Sequence, residues 1–175
     1  MKKKIAILLV LLMALVIPVN AKSMDAFKSG DIVKLEEELD STTFAAGRKV
    51  DIKSKIKGII FAAGETLKVA GENDYSFVAG KDIAVDEIVT KDAFIAGQDI
   101  TISNSTIRDL YVAGAIITID SDISRNVFVA GDTVAIKGKI NGDVNLACDN
   151  ITIEEGTEIT GTLRVPEDAT LKDNG

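Results

Sequence analysis

Carboxylates are the most numerous reactive groups in this sequence, and they recur at regular intervals. Asp74, Asp82, Asp86, Asp99, Asp120, Asp122, Asp132 and Asp143 all fall in turn-like segments. Carboxylates spaced this way could hold Ca²⁺ between neighbouring copies of a repeat. The Gly-Gly-x-Gly-x-Asp signature of calcium-binding repeats is missing, however, so the expected role is to close turns by accepting nearby backbone N–H groups. Cys148 is the sole thiol. It could serve as a redox or cross-linking group, but it reads better as a small buried filler. Thr101, Thr118 and Thr152 share one register, as in an ice-binding hydroxyl array, but Asp51, Lys68 and Ala135 interrupt it.

Composition removes most other chemistry. The 175 residues include no His, so there is no Ser-His-Asp or Cys-His nucleophile pair, no imidazole metal site and no His base for an acyltransferase. One Cys excludes a disulfide framework and a cysteine metal cluster. Twenty Lys and Arg against 27 Asp and Glu give a net charge of −7, which argues against a nucleic-acid partner. Glycosidase or lyase chemistry needs a groove around its carboxylates. Connections of about two to four residues leave no room for one. No catalytic residue, metal ligand, cofactor or nucleotide site is expected.

The first 21 residues are organised differently from the rest. Lys2, Lys3 and Lys4 precede an unbroken apolar run from Ile5 to Ile17. Pro18 ends the run, and Val19-Asn20-Ala21 offers small residues for cleavage after Ala21. This is the three-part pattern of a secretory signal. The run is shorter than the ~17–25 residues of a spanning helix. The mature chain is therefore expected to be exported, acidic and extracytoplasmic or associated with the cell envelope.

The rest of the chain is a repeat of about seventeen residues. Phe44-Ala45-Ala46-Gly47 recurs as Phe61-Ala62-Ala63-Gly64, Phe77-Val78-Ala79-Gly80, Phe94-Ile95-Ala96-Gly97, Tyr111-Val112-Ala113-Gly114 and Phe128-Val129-Ala130-Gly131. The glycines are 17, 16, 17, 17 and 17 residues apart. Phe27-Lys28-Ser29-Gly30 is a degenerate first copy, and Asn145-Leu146-Ala147-Cys148 a later one with Cys in the Gly slot. Aliphatics follow three and five residues after each Gly, as in Ile100/Ile102 and Ile117/Ile119. A third apolar position comes later in each copy: Leu39, Ile56, Ile88, Ile107, Ile123, Ile140 and Ile159. Period-two pairs dense in β-branched residues predict strands rather than helix. Three short strands and three corners per copy, stacked like on like, predict an all-β, three-sided parallel solenoid of about eight coils. One coil buries too few aliphatics to offset the ordering of its backbone, so stability must come from its neighbours. The expected organisation is a signal segment at 1–21, a cap at 22–29, the solenoid at 30–165 and an end segment at 166–175.

The repeated aromatic-aliphatic-Ala-Gly block resembles the bactofilin family of bacterial polymer-forming cytoskeletal proteins. So do Asn126-Val127-Phe128-Val129-Ala130-Gly131-Asp132-Thr133-Val134-Ala135-Ile136 and Ile140-Asn141-Gly142-Asp143-Val144. The resemblance spans about residues 27–165. It implies a right-handed β-helix, no nucleotide and end-to-end assembly. The export signal departs from the typical cytoplasmic members.

The strand before each Gly offers two apolar sets, and only one can face a narrow core. Asn145 and Thr162 stand in the aromatic slot of the last copies, whereas Leu146 and Leu163 keep the aliphatic slot. The slot that tolerates polar residues is the outer one. Phe44, Phe61, Phe77, Phe94, Tyr111 and Phe128 are thus expected on the surface as an interaction face; the converse packing, with the rings inside, stays open. The expected function is that of an exported structural protein that self-associates through its ends or this face. The other reading is a rigid envelope module that presents the face to a wall polymer or membrane partner.

Overall fold

The computed structural model describes residues 26–174. The expected signal segment and the first residues of the expected cap lie outside them. Eleven strands, all paired in parallel, wind into a solenoid of about nine turns. The long strands are β1 (Phe27–Leu35), β2 (Thr43–Lys55), β3 (Ile59–Glu72), β4 (Tyr75–Ala96), β5 (Asp99–Ile123) and β6 (Val127–Lys137). After them come β7 (Lys139–Ile140), β8 (Val144–Ile153), β9 (Glu158–Ile159), β10 (Leu163–Arg164) and β11 (Thr170–Asp173). β4 and β5, at 22 and 25 residues, run through corners as single strands, because a corner stacks on a corner.

Register follows the repeat. Phe27 pairs with Phe44, Val50 with Leu67, Tyr111 with Phe128 and Ile136 with Ile153. The period is less even than the glycine spacing alone suggests. Ile59 to Val69 pair with Tyr75 to Val85, sixteen residues on, and the offset returns to seventeen at Gly71↔Ile88. The extra residue is absorbed near Glu87, which adopts a left-handed φ of 55°. The offset widens to nineteen where β9 and β10 pair with β7 and β8.

Inward side chains from three faces meet in one core running the length of the rod. In a central coil these are Ile100, Ile102, Ile107, Leu110 and Val112, all buried. They match the period-two pairs in the sequence, plus a column before each ring that the pattern did not single out: Thr43, Ile60, Ser76, Ala93, Leu110, Val127 and Val144. The third apolar column is corrected in the middle coils. Ile88 lies opposite Gly71, in a neighbouring column. Asn73 and Thr90 continue the line from Ile56 to Ile107. These buried polar groups satisfy one another. Asn73 Oδ1 accepts from Ser76 Oγ at 2.9 Å and from Thr90 Oγ1 at 2.7 Å.

Glycine is required at two stacked corners for a specific reason. Gly71 and Gly138 have φ of 104° and 112°, and a Cβ at either would collide with the backbone carbonyl of Ser54 or Ser121 in the coil below.

The polar triad yields the first prediction. Asn73→Ala strands the buried Ser76 hydroxyl, leaves Thr90 Oγ1 only its 3.2 Å bond to the Asp74 carbonyl, and should destabilise the protein by about 1–3 kcal/mol in urea unfolding. Replacing all three together (Asn73→Leu, Ser76→Ala, Thr90→Val) should recover most of that loss, because no buried donor or acceptor is then left without a partner.

Candidate functional site

One face of the rod is apolar over most of its length. Strand alternation sends the ring and the alanine of each Phe-x-Ala-Gly block outward and the residue between them inward. Ala45, Ala62, Val78, Ile95, Val112, Val129 and Leu146 are therefore buried in the core. The rings lie outside, as the polar residues in their slot indicated. Phe44, Phe61, Phe77, Phe94, Tyr111 and Phe128 stack in one column, with centroids 4.7–5.0 Å apart and planes within 14° of parallel. Phe27 extends the column by one rung and is 60% exposed. The sequence showed Phe27 only as part of a degenerate copy; its in-register pairing with Phe44 places it on the ladder.

Beside the ring column runs a column of small residues: Ser29, then the block alanines from Ala46 to Ala147. The difference in height makes a ridge and a gutter. Together they bound an open apolar groove of about 910 Å³ that reaches from Phe27 to Ala147. Stacked rings cover one another's faces, so the ridge presents ring edges. Sugar rings pack on aromatic faces, and within the ladder those faces are taken. The geometry suits a partner with small apolar groups better than it suits a glycan chain.

The corner carboxylates act between coils. Asp109 Oδ1 accepts the Asn126 N–H at 3.1 Å, Asn126 Oδ1 accepts the Asp143 N–H at 3.1 Å, and Asp143 Oδ1 accepts the Thr162 N–H at 2.9 Å. Asp122 does the same for Lys139. The sequence reading had such side chains close their own turns; instead each caps the backbone of the coil above. Others pair with cations or polar groups one coil on: Asp74 with Lys91, Asp120 with Lys137, and Asp86 with Ser103 and Asn104. Asp82 stacks on Asp99 in register, and Asp132 is exposed. Among the described residues, no three carboxylate or thiol groups gather at one point. Cys148 is buried in its Gly slot, and burial pushes its thiol pKa up, away from the reactive thiolate.

No family model, curated protein or solved structure matches this chain. The residues themselves establish a parallel β-solenoid of stacked coils, a fold compatible with that of the bactofilins.

Asp143 supplies a prediction about pH. The Thr162 N–H and the Arg164 guanidinium hold its carboxyl below the usual carboxylate range. A lowered folded pKa contributes stability above the unfolded value of about 3.9, and this is lost as pH falls through the lower folded value. Hydrogen exchange at the Thr162 amide should therefore accelerate as pH drops below that range, after correction for intrinsic rates. Asp143→Asn keeps the acceptor, as Asn126 does one coil below, and should flatten this dependence.

Proposed function

We propose that this chain is an exported structural protein that polymerises by stacking solenoid ends, a secreted counterpart of the bactofilin architecture. The observation that carries this reading is the edge at β1. Each coil is a template for a nearly identical coil, and β1 is the first strand of the described sheet, with no described strand on its outer side. That edge is nine residues long, with Phe27 and Ile32 more than half exposed. A long unpaired edge over an apolar core is a site for adding another chain. The opposite end is ragged: β10 and β11 cover β8 with only two and four residues. Export rests on Lys2–Lys4, the apolar run Ile5–Ile17 and the small residues before the cleavage point after Ala21. The role needs no catalysis and no cofactor. The envelope-module reading gains no specific support, because the ridge offers ring edges.

Negative-stain microscopy of the processed protein over a concentration series tests the proposal. Filaments that lengthen with concentration are expected. Phe27→Glu places a charge on the outer ring of the joint and should shorten them, while circular dichroism stays unchanged. Single short rods at every concentration would overturn the reading.

A further inference from the structure

We propose that two copies of this chain pair side by side through the aromatic face, parallel and in register, about a twofold axis that runs along the rods. The inference rests on the self-associating reading and adds the lateral contact, its polarity and its closure.

The face dictates the symmetry. Ridge and gutter lie side by side over the seven rungs from Phe27 to Phe128. A twofold axis parallel to the rods sets the ridge of each copy opposite the gutter of the other. A twofold axis lying across the face instead sets ridge against ridge, which leaves both gutters empty. Ring edges fit a floor of alanine methyl groups, and only the parallel arrangement brings them together. An interface of this kind is isologous and closed, so it stops at two rods.

Area is consistent with a real contact. Rings of this type bury ~150–250 Å² when covered. Phe27, Phe44, Tyr111 and Phe128 stand 36–60% exposed, with exposed alanines beside them. The whole face then offers roughly 600–800 Å² per partner, close to the ~800 Å² of a standard-size interface.

Charge sets the register of the parallel pair. Charged residues occupy the corner before the ridge and the corner after the gutter, and the parallel pair brings these two corners together at equal height. Asp40 then meets Arg48, Lys57 meets Glu65, Asp74 meets Lys81 and Arg125 meets Asp132. Between Asp40 and Arg125, no rung sets like charges together. A slip of one coil would instead oppose Lys57 to Arg48, Asp74 to Glu65 and Lys91 to Lys81. Several of these groups also pair within their own chain, as Lys57 does with Asp40 and Arg48 with Asp31. Rim charges of this sort select register more than they add affinity.

The test uses the processed protein and reads length and width separately. Ala79→Arg and Ala96→Glu each fill the gutter at an exposed position and leave the ring ladder whole. Either should thin the assemblies to single rods without shortening them, and weaken lateral pairing at least tenfold by sedimentation velocity. Phe27→Glu should shorten them without thinning, since the six rungs from Phe44 to Phe128 remain. If Phe27→Glu has no effect on length, end stacking through β1 falls while the lateral contact stands. If the gutter variants, folded by circular dichroism, pair as tightly as the parent, the lateral contact falls. Spin labels at Lys53→Cys, exposed in the same coil but outside the gutter, settle polarity. In the parallel pair both labels sit at one height. An antiparallel pair separates them by about five rungs, roughly 24 Å along the rod, and that distance would overturn the proposal.

Discussion

Everything in this molecule depends on one constraint: each strand pairs in parallel with the next coil's copy of itself. Once Phe27 is hydrogen-bonded at the level of Phe44, and Val50 at the level of Leu67, every property of a residue is repeated at about the spacing of β-strands. An outward ring becomes a ladder, an inward isoleucine becomes a column of core, and a corner carboxylate becomes a cap for the coil above. No interaction here has to be strong by itself. Each is repeated along the axis, and a coil is held by the match between its pattern and its neighbours'.

The same repetition explains why a surface rather than a pocket is the candidate site. A stack of near-identical coils sets identical groups in lines. Carboxylates spread along the corners are occupied in joining coils, as Asp109, Asp122 and Asp143 are. What the repeat can concentrate is a continuous strip of one character. The ring ridge and its alanine gutter are such a strip.

Much of this was legible beforehand, and the limits have physical causes. The +17 spacing of Phe44 and Phe61, and again of Phe77, Phe94, Tyr111 and Phe128, announced the stacking, and Asn145 in the ring slot announced which slot faces water. Ile88 misled because it is apolar and close to the right spacing. The one-residue shift between Val69 and Gly71 moves it to another column, and a register shift inside a corner leaves no mark in composition. Asn73 and Thr90 escaped notice because polar residues in a core column are recognisable only with their partners in view. Asp143 and Asp122 were rightly seen as turn residues. Which backbone they serve, their own or the next coil's, depends on corner geometry that the sequence does not spell out.

The direction of the inter-coil hydrogen bonds has a mechanical consequence. Parallel pairing of stacked coils points these bonds along the rod. A pull on the two ends would therefore load the coil interfaces in series, and the whole would be only as strong as its weakest joint. The joints are unequal: twelve register pairs join β2 to β3, whereas β10 and β11 together make six with β8. A shear across the rod meets covalent backbone at every level instead. The molecule is a spring with one soft end, stiff across its width and ready to peel where its last coil is shortest.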